Sequence, residues 1–237
     1  MPDMVFIADD DRGRTPGSAH PRFPGFDVLD EVERWDAVTA GVVLARLAPP
    51  PERSVFTKAE QATAEALCDQ ILAQHEEPRI PVAALIDVRL ATGETDGWHY
   101  AGLPPDLEAW QQTLAFLDDD ARAVGRVTFG ELALQQQAGC VQAVQQHGTS
   151  CWHGFPAHQV WSLWTRYACA AFYSHPWAWN EIGFPGPAYP RGYKNLGLDS
   201  REGFEVADAM NNDPVPWAAR ADAAKKRQAA TLPGDLS

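Results

Sequence analysis

DLEAWQQTLAFLDDDARAVG, residues 106–125, is the stretch that decides the fold class. Its apolar side chains Leu107, Trp110, Leu114, Leu117, Ala121 and Val124 recur at intervals of 3, 4, 3, 4 and 3 residues. That spacing lines them along one seam of an α-helix, with charged and amide side chains on the other faces. Gly125 supplies the stop. Working outward, Thr57 and Glu60 form a capping-box pattern, with Phe56 ahead of it as a staple. Ala64, Leu67, Cys68, Ile71 and Leu72 then share one helical face. Pro78 and Pro81 end that helix and begin another, whose inward residues are Val82, Leu85, Ile86 and Leu90. Gly93–Gly97 reads as a turn, and His99 and Tyr100 beside Trp98 read as loop packing.

On the C-terminal side, Thr128 is expected to cap the next helix, with Phe129, Leu132, Ala133, Cys140, Val141 and Val144 inward and Gly148 as its end. A last long helix is predicted from Pro156 to Ser174, burying Val160, Trp161, Trp164, Ala168, Ala171 and Phe172. No run alternates with period two strongly enough to predict a sheet. The expected fold is therefore all-α, an irregular bundle of five to six helices. Residues 1–27 read as a mobile arm and 28–47 as a first helix, stopped by Pro49, Pro50 and Pro51. The chain divides into an N-terminal arm and helix (1–50), a helical domain (51–198) and a tail (199–237), in which a short helix after Pro216 is expected.

The composition narrows the function. Acidic residues outnumber basic ones 32 to 19, for a net charge of −13. Such a surface repels phosphates and anionic lipids, so no nucleic acid and no membrane surface is expected as a partner. No apolar run approaches the ~20 residues that span a bilayer. Residues 1–11 lack the basic start and long apolar run of a secretory signal, and Arg12 and Arg14 are not a twin-arginine pair, so no signal peptide is expected. Cys68, Cys140, Cys151 and Cys169 fit no zinc or haem spacing and are expected as buried free thiols, with one disulfide open outside the cytosol. Nucleotide-binding glycine loops and nucleophile elbows are absent from the sequence. His147, Cys151, His153 and His158 are all capable metal ligands in a Gly-rich connection. Their intervals of 4, 2 and 5 match no standard zinc module, so an ordinary polar loop is the first reading and a metal-binding protein or enzyme the alternative. Glu60 is expected to cap, and Asp118, Asp119 and Asp120 to form a solvated face.

HPWAWNEIGFPGPAYPRGY, residues 175–193, reads differently from everything before it. Four prolines and three glycines argue against regular helix, yet five large aromatics crowd the stretch. Burying five such rings gains about 20–30 kcal/mol at most. Ordering 19 residues costs about 28 kcal/mol. The segment therefore needs the domain body, a partner or both beneath it, and its potential area suits one side of a protein interface. The expected partner-binding residues are His175, Trp177, Trp179, Asn180, Ile182, Phe184, Pro185, Tyr189, Arg191 and Tyr193; no catalytic, cofactor or metal residue is assigned.

Two blocks resemble the gluconate 2-dehydrogenase subunit 3 family. The first runs from Phe56 and Thr57 through Glu60 to Leu67–Leu72, then Pro81–Leu90 and Tyr100–Leu103. The second runs from Phe172 to Asn180 and from Ile182 through Pro187 to Tyr193. Together they span about Val55 to Leu198, and residues 1–50 lie outside. The resemblance implies an all-α, non-catalytic, chaperone-like small subunit. It would bind, stabilise and help mature or export a flavin-dependent sugar, polyol or glycoside dehydrogenase of the glucose–methanol–choline type. FAD and substrate would sit in that large subunit, with a cytochrome c subunit as a further partner. Family members often carry a twin-arginine signal, which this sequence lacks. The resemblance thus implies a cytoplasmic complex, or a periplasmic one exported by its partner's signal.

Overall fold

The computed structural model describes residues 13–16, 23, 25–51, 55–195 and 200–206. The predicted helix after Pro216 and most of the predicted N-terminal arm lie outside these residues. Among them, the chain is helical apart from one hairpin of two-residue strands, β1 (Cys151–Trp152) and β2 (Phe155–Pro156), paired antiparallel. The all-α expectation stands. The hairpin is too short to show in a periodicity reading.

Helix α1 covers Ala37–Ala45, α2 Lys58–Leu72, α3 Val82–Ala91, α4 Asp106–Gly125, α5 Leu134–Gln146, α6 Ala157–Tyr173 and α7 Pro176–Ile182. Helices α2–α6 enclose one apolar core. Trp110 of α4 and Trp164 and Tyr167 of α6 are completely buried at its centre. Two of the buried polar groups there are paired, while the Trp110 indole N–H has no hydrogen-bond partner among the described residues. Trp164 Nε1 donates to Thr113 Oγ1 at 3.0 Å, and the Tyr167 hydroxyl donates to Asp106 Oδ2 at 2.6 Å. Burial first, and then the Asp106 carboxylate, push the Tyr167 phenol upward from its ordinary pKa.

The capping box at the N-terminus of α2 is built as expected, but N4 is the polar Gln61, so Phe56 makes no staple and packs on α4 instead. Thr57 N donates to Glu60 Oε2 at 2.7 Å and Glu60 N to Thr57 Oγ1 at 3.3 Å. Phe56 packs against Trp110. The α4 seam is buried from Trp110 to Ala121, but Val124 is 60% exposed because the helix outruns the core by its last turn.

Several expectations are corrected. The first helix is not continuous: a 3₁₀ helix spans Val28–Arg34, Trp35 and Asp36 are extended, and α1 follows. Asp27 and Asp36 are two separate N-caps, accepting from Leu29 N and Thr39 N, so the sequence starts two helices where one apolar period was read. Thr128 and Glu131 enclose only a 3₁₀ turn, Phe129–Glu131. Leu132 and Ala133 are then extended, which lets Leu132 plug the core against Gly125, and α5 begins at Leu134. Ala133 is exposed. The acidic run is not a uniform solvated face. Asp118 is buried and its Oδ1 accepts from Thr63 Oγ1 and Phe129 N, both at 2.9 Å. Asp120 accepts from Trp152 Nε1 at 2.8 Å. Cys151 and Cys169 are exposed rather than buried, and all four cysteines are free.

Candidate partner-docking surface

Residues 175–193 are not irregular throughout, because their prolines and glycines sit where a helix tolerates them. His175 caps α7 by accepting the Trp177 N–H on Nδ1 at 3.2 Å. Pro176 occupies the first turn, where no backbone N–H is needed, and Gly183 ends the helix at φ 66°. The remaining Pro185, Pro187 and Pro190 lie beyond that end in an irregular arm with a turn at 189–191.

The inner side of α7 and the arm is covered by the chain's own N-terminal segment. Asn180 is the pin: its Oδ1 accepts Val28 N at 2.8 Å, and its Nδ2 donates to Arg14 O at 2.9 Å and Asp27 Oδ1 at 3.2 Å. Trp179 is buried in a second apolar cluster with Val28, Leu29, Trp35, Val43 and Leu44. Its Nε1 donates to Tyr173 O at 2.7 Å, and the Arg46 guanidinium lies over its ring. Arg14 lies over Trp177. Gly183 and Gly186 lack the Cβ that would strike Phe23 and Trp35: an added carbon would lie 2.9 Å and 2.3 Å from those rings. Arg191 pairs with Glu31 and donates to the carbonyls of Pro185 and Pro187 at 3.0 Å.

The ten residues expected to bind a partner therefore divide. His175, Trp179, Asn180 and Pro185 are buried, and Trp177 and Arg191 are half-buried. Ile182, Phe184, Tyr189 and Tyr193 face outward, at 45, 38, 67 and 51% exposure. The outward four form an apolar rim on an arm held from behind. Phe184 packs edge-on against Trp179, and Tyr193 lies against Phe204. Exposed Tyr173 lies one helix earlier, at the end of α6. Phe23, Asp27, Glu31, Trp35 and Arg46 belong to this region and carried no signal in the sequence. Their partners lie more than a hundred residues away, beyond any local pattern.

The four candidate metal ligands are not brought together. His153 Nε2 meets Asp120 Oδ1 at 2.8 Å and its ring stacks on Phe116. His147 caps α5, Cys151 is in β1 and His158 is in the first turn of α6. Among the described residues, no three His, Cys, Asp or Glu side chains are arranged to hold a metal ion. No helix among them is long and apolar enough to cross a membrane.

A family model described as gluconate 2-dehydrogenase subunit 3 matches residues 58–186, more than half of the chain. The match runs from the first residue of α2, through α7, to the glycine beneath Trp35. No curated protein and no solved structure matches the chain.

Proposed function

The chain belongs to the gluconate 2-dehydrogenase subunit 3 family, and from that premise we propose that it is the non-catalytic accessory subunit of a flavin-dependent dehydrogenase. The family description names a subunit of a dehydrogenase. Identifying the large subunit as an FAD-containing sugar, polyol or glycoside dehydrogenase goes further, and rests on the resemblance set out above.

One observation carries the docking surface: four large apolar side chains stand exposed within twelve residues, 182–193, on a backbone anchored from behind. Exposed aromatics on a rigid support are what an interface hot spot requires, since little ordering entropy is lost on contact. In this reading Phe184 and Tyr189 enter pockets on the large subunit. Flavin and substrate stay in that subunit, and this chain stabilises it during maturation. A cytochrome c subunit would accept electrons from the flavoprotein without touching this chain's core.

The test is co-expression with the flavoprotein encoded nearby. The expected result is a stable complex, and a flavin-poor, aggregating dehydrogenase when this chain is withheld. Full flavin loading and activity of the large subunit alone would sink the proposal.

A further inference from the structure

We infer that residues 13–16, 23 and 25–47 act as an intramolecular clasp that orders the aromatic–proline arm and thereby sets the surface the partner reads. This rests on the accessory-subunit reading for the partner's identity, but the clasp itself is a property of this chain alone. The arm has few means of ordering itself. Beyond α7 its backbone is interrupted by Pro185, Pro187 and Pro190, which donate no hydrogen bond. Phe204 meets Arg191 and Tyr193 at the arm's far end, and the anchors nearer α7 come from the N-terminal segment: Glu31 holds Arg191, and Arg191 in turn gathers the carbonyls of Pro185 and Pro187. Phe23 and Trp35 press into the gaps left by Gly183 and Gly186. Asn180 fastens α7 to Val28 and Arg14.

The fit is keyed at several independent points, and all of these N-terminal residues lie outside the region matched by the family model, 58–186. A partner that displaced the clasp would return Val28, Leu29, Trp35, Val43, Leu44 and Trp179 to water together. The partner therefore meets the outer rim, Ile182, Phe184, Tyr189 and Tyr193, with the clasp still seated. The clasp residues act on binding through position, without touching the partner.

The experiment uses the full chain and two variants. Gly186→Val drives a side chain into the Trp35 ring, and Trp35→Leu removes the ring without a clash. Backbone amide exchange is followed at Phe184, which donates to Trp179 O, and at Gly192, which donates to Ala188 O. The expected result is exchange at least about tenfold faster at these two amides in both variants, with α4 and α6 protection unchanged. Affinity for the flavoprotein should also fall at least about tenfold, although neither substituted residue lies on the rim. Unchanged exchange in Trp35→Leu would overturn the clasp. Faster exchange with undiminished affinity would overturn its role in setting the docking surface. If the wild-type chain bound no dehydrogenase, the accessory-subunit reading would fall, and the exchange result would still decide the clasp.

Discussion

His175 holds the start of α7 with a neutral ring. Its Nδ1 accepts the Trp177 N–H, and burial pushes its pKa down from the ordinary 6.5 to about 4. The unfolded chain takes up this proton first as the pH falls, so the group destabilises the fold on acidification. Its contribution is complete above pH 6.5, declines between 6.5 and 4, and is flat below. The size is at most about 3 kcal/mol. Comparing urea midpoints of the wild type and His175→Asn across this range checks it. The wild type should lose stability more steeply, because Asn can cap without titrating. At Asp118 the expectation concerns hydrogen bonding. One buried carboxylate oxygen serves both Thr63 and the backbone of Phe129. Asp118→Ala leaves both donors without that acceptor and should cost about 2–3 kcal/mol by urea denaturation. Asp119→Ala, one residue on at an exposed position, should be nearly neutral.

At the scale of elements, the α2 capping box should respond to Thr57→Ala with a loss of about 1 kcal/mol in thermal or urea unfolding. The cap and seam of α2 and the seam of α4 are legible in the sequence because these signals are local, although α2 stops at Leu72, ahead of Pro78, and α4 starts after Pro105 without a side-chain cap. The elements that escaped were settled by distant contacts. The break at Trp35–Asp36 exists because Trp35 turns away to meet Gly186, and no periodicity within 28–47 records that meeting. The delayed start of α5 reflects the reach of Leu132 to Gly125. Helix α7 is hidden from a reading by proline and glycine content alone, because Pro176 in its first turn and Gly183 at its end are boundary signals rather than breakers. At the candidate surface, the importance of 175–193 was legible from its aromatics. Which of them face outward was not, since that depends on Asn180 and Arg191 meeting partners more than 150 residues away.

Among the described residues there are two apolar clusters, and α7 joins them. Ala178 belongs to the large core of α2–α6, and Trp179, the next residue, belongs to the cluster built with the N-terminal segment. The helix thus couples the body to the clasp, and the arm that follows it carries the exposed rim. This arrangement separates two kinds of substitution. Trp177 and Trp179 face inward, so truncating them should lower stability as well as any association. Tyr189 and Phe184 are the more exposed, so truncating them should cost less stability than truncating Trp177 or Trp179, with the lost Phe184–Trp179 edge contact as the main cost.

The most direct measurement is therefore the affinity of the purified full chain for the flavoprotein dehydrogenase proposed as its partner, wild type against Phe184→Ala with Tyr189→Ala. A docking rim predicts binding weaker by about 2 kcal/mol or more, roughly thirtyfold, with an unfolding midpoint lowered less than by Trp179→Ala. An unchanged affinity in the doubly substituted chain would contradict the account, and would place the interface elsewhere on the molecule.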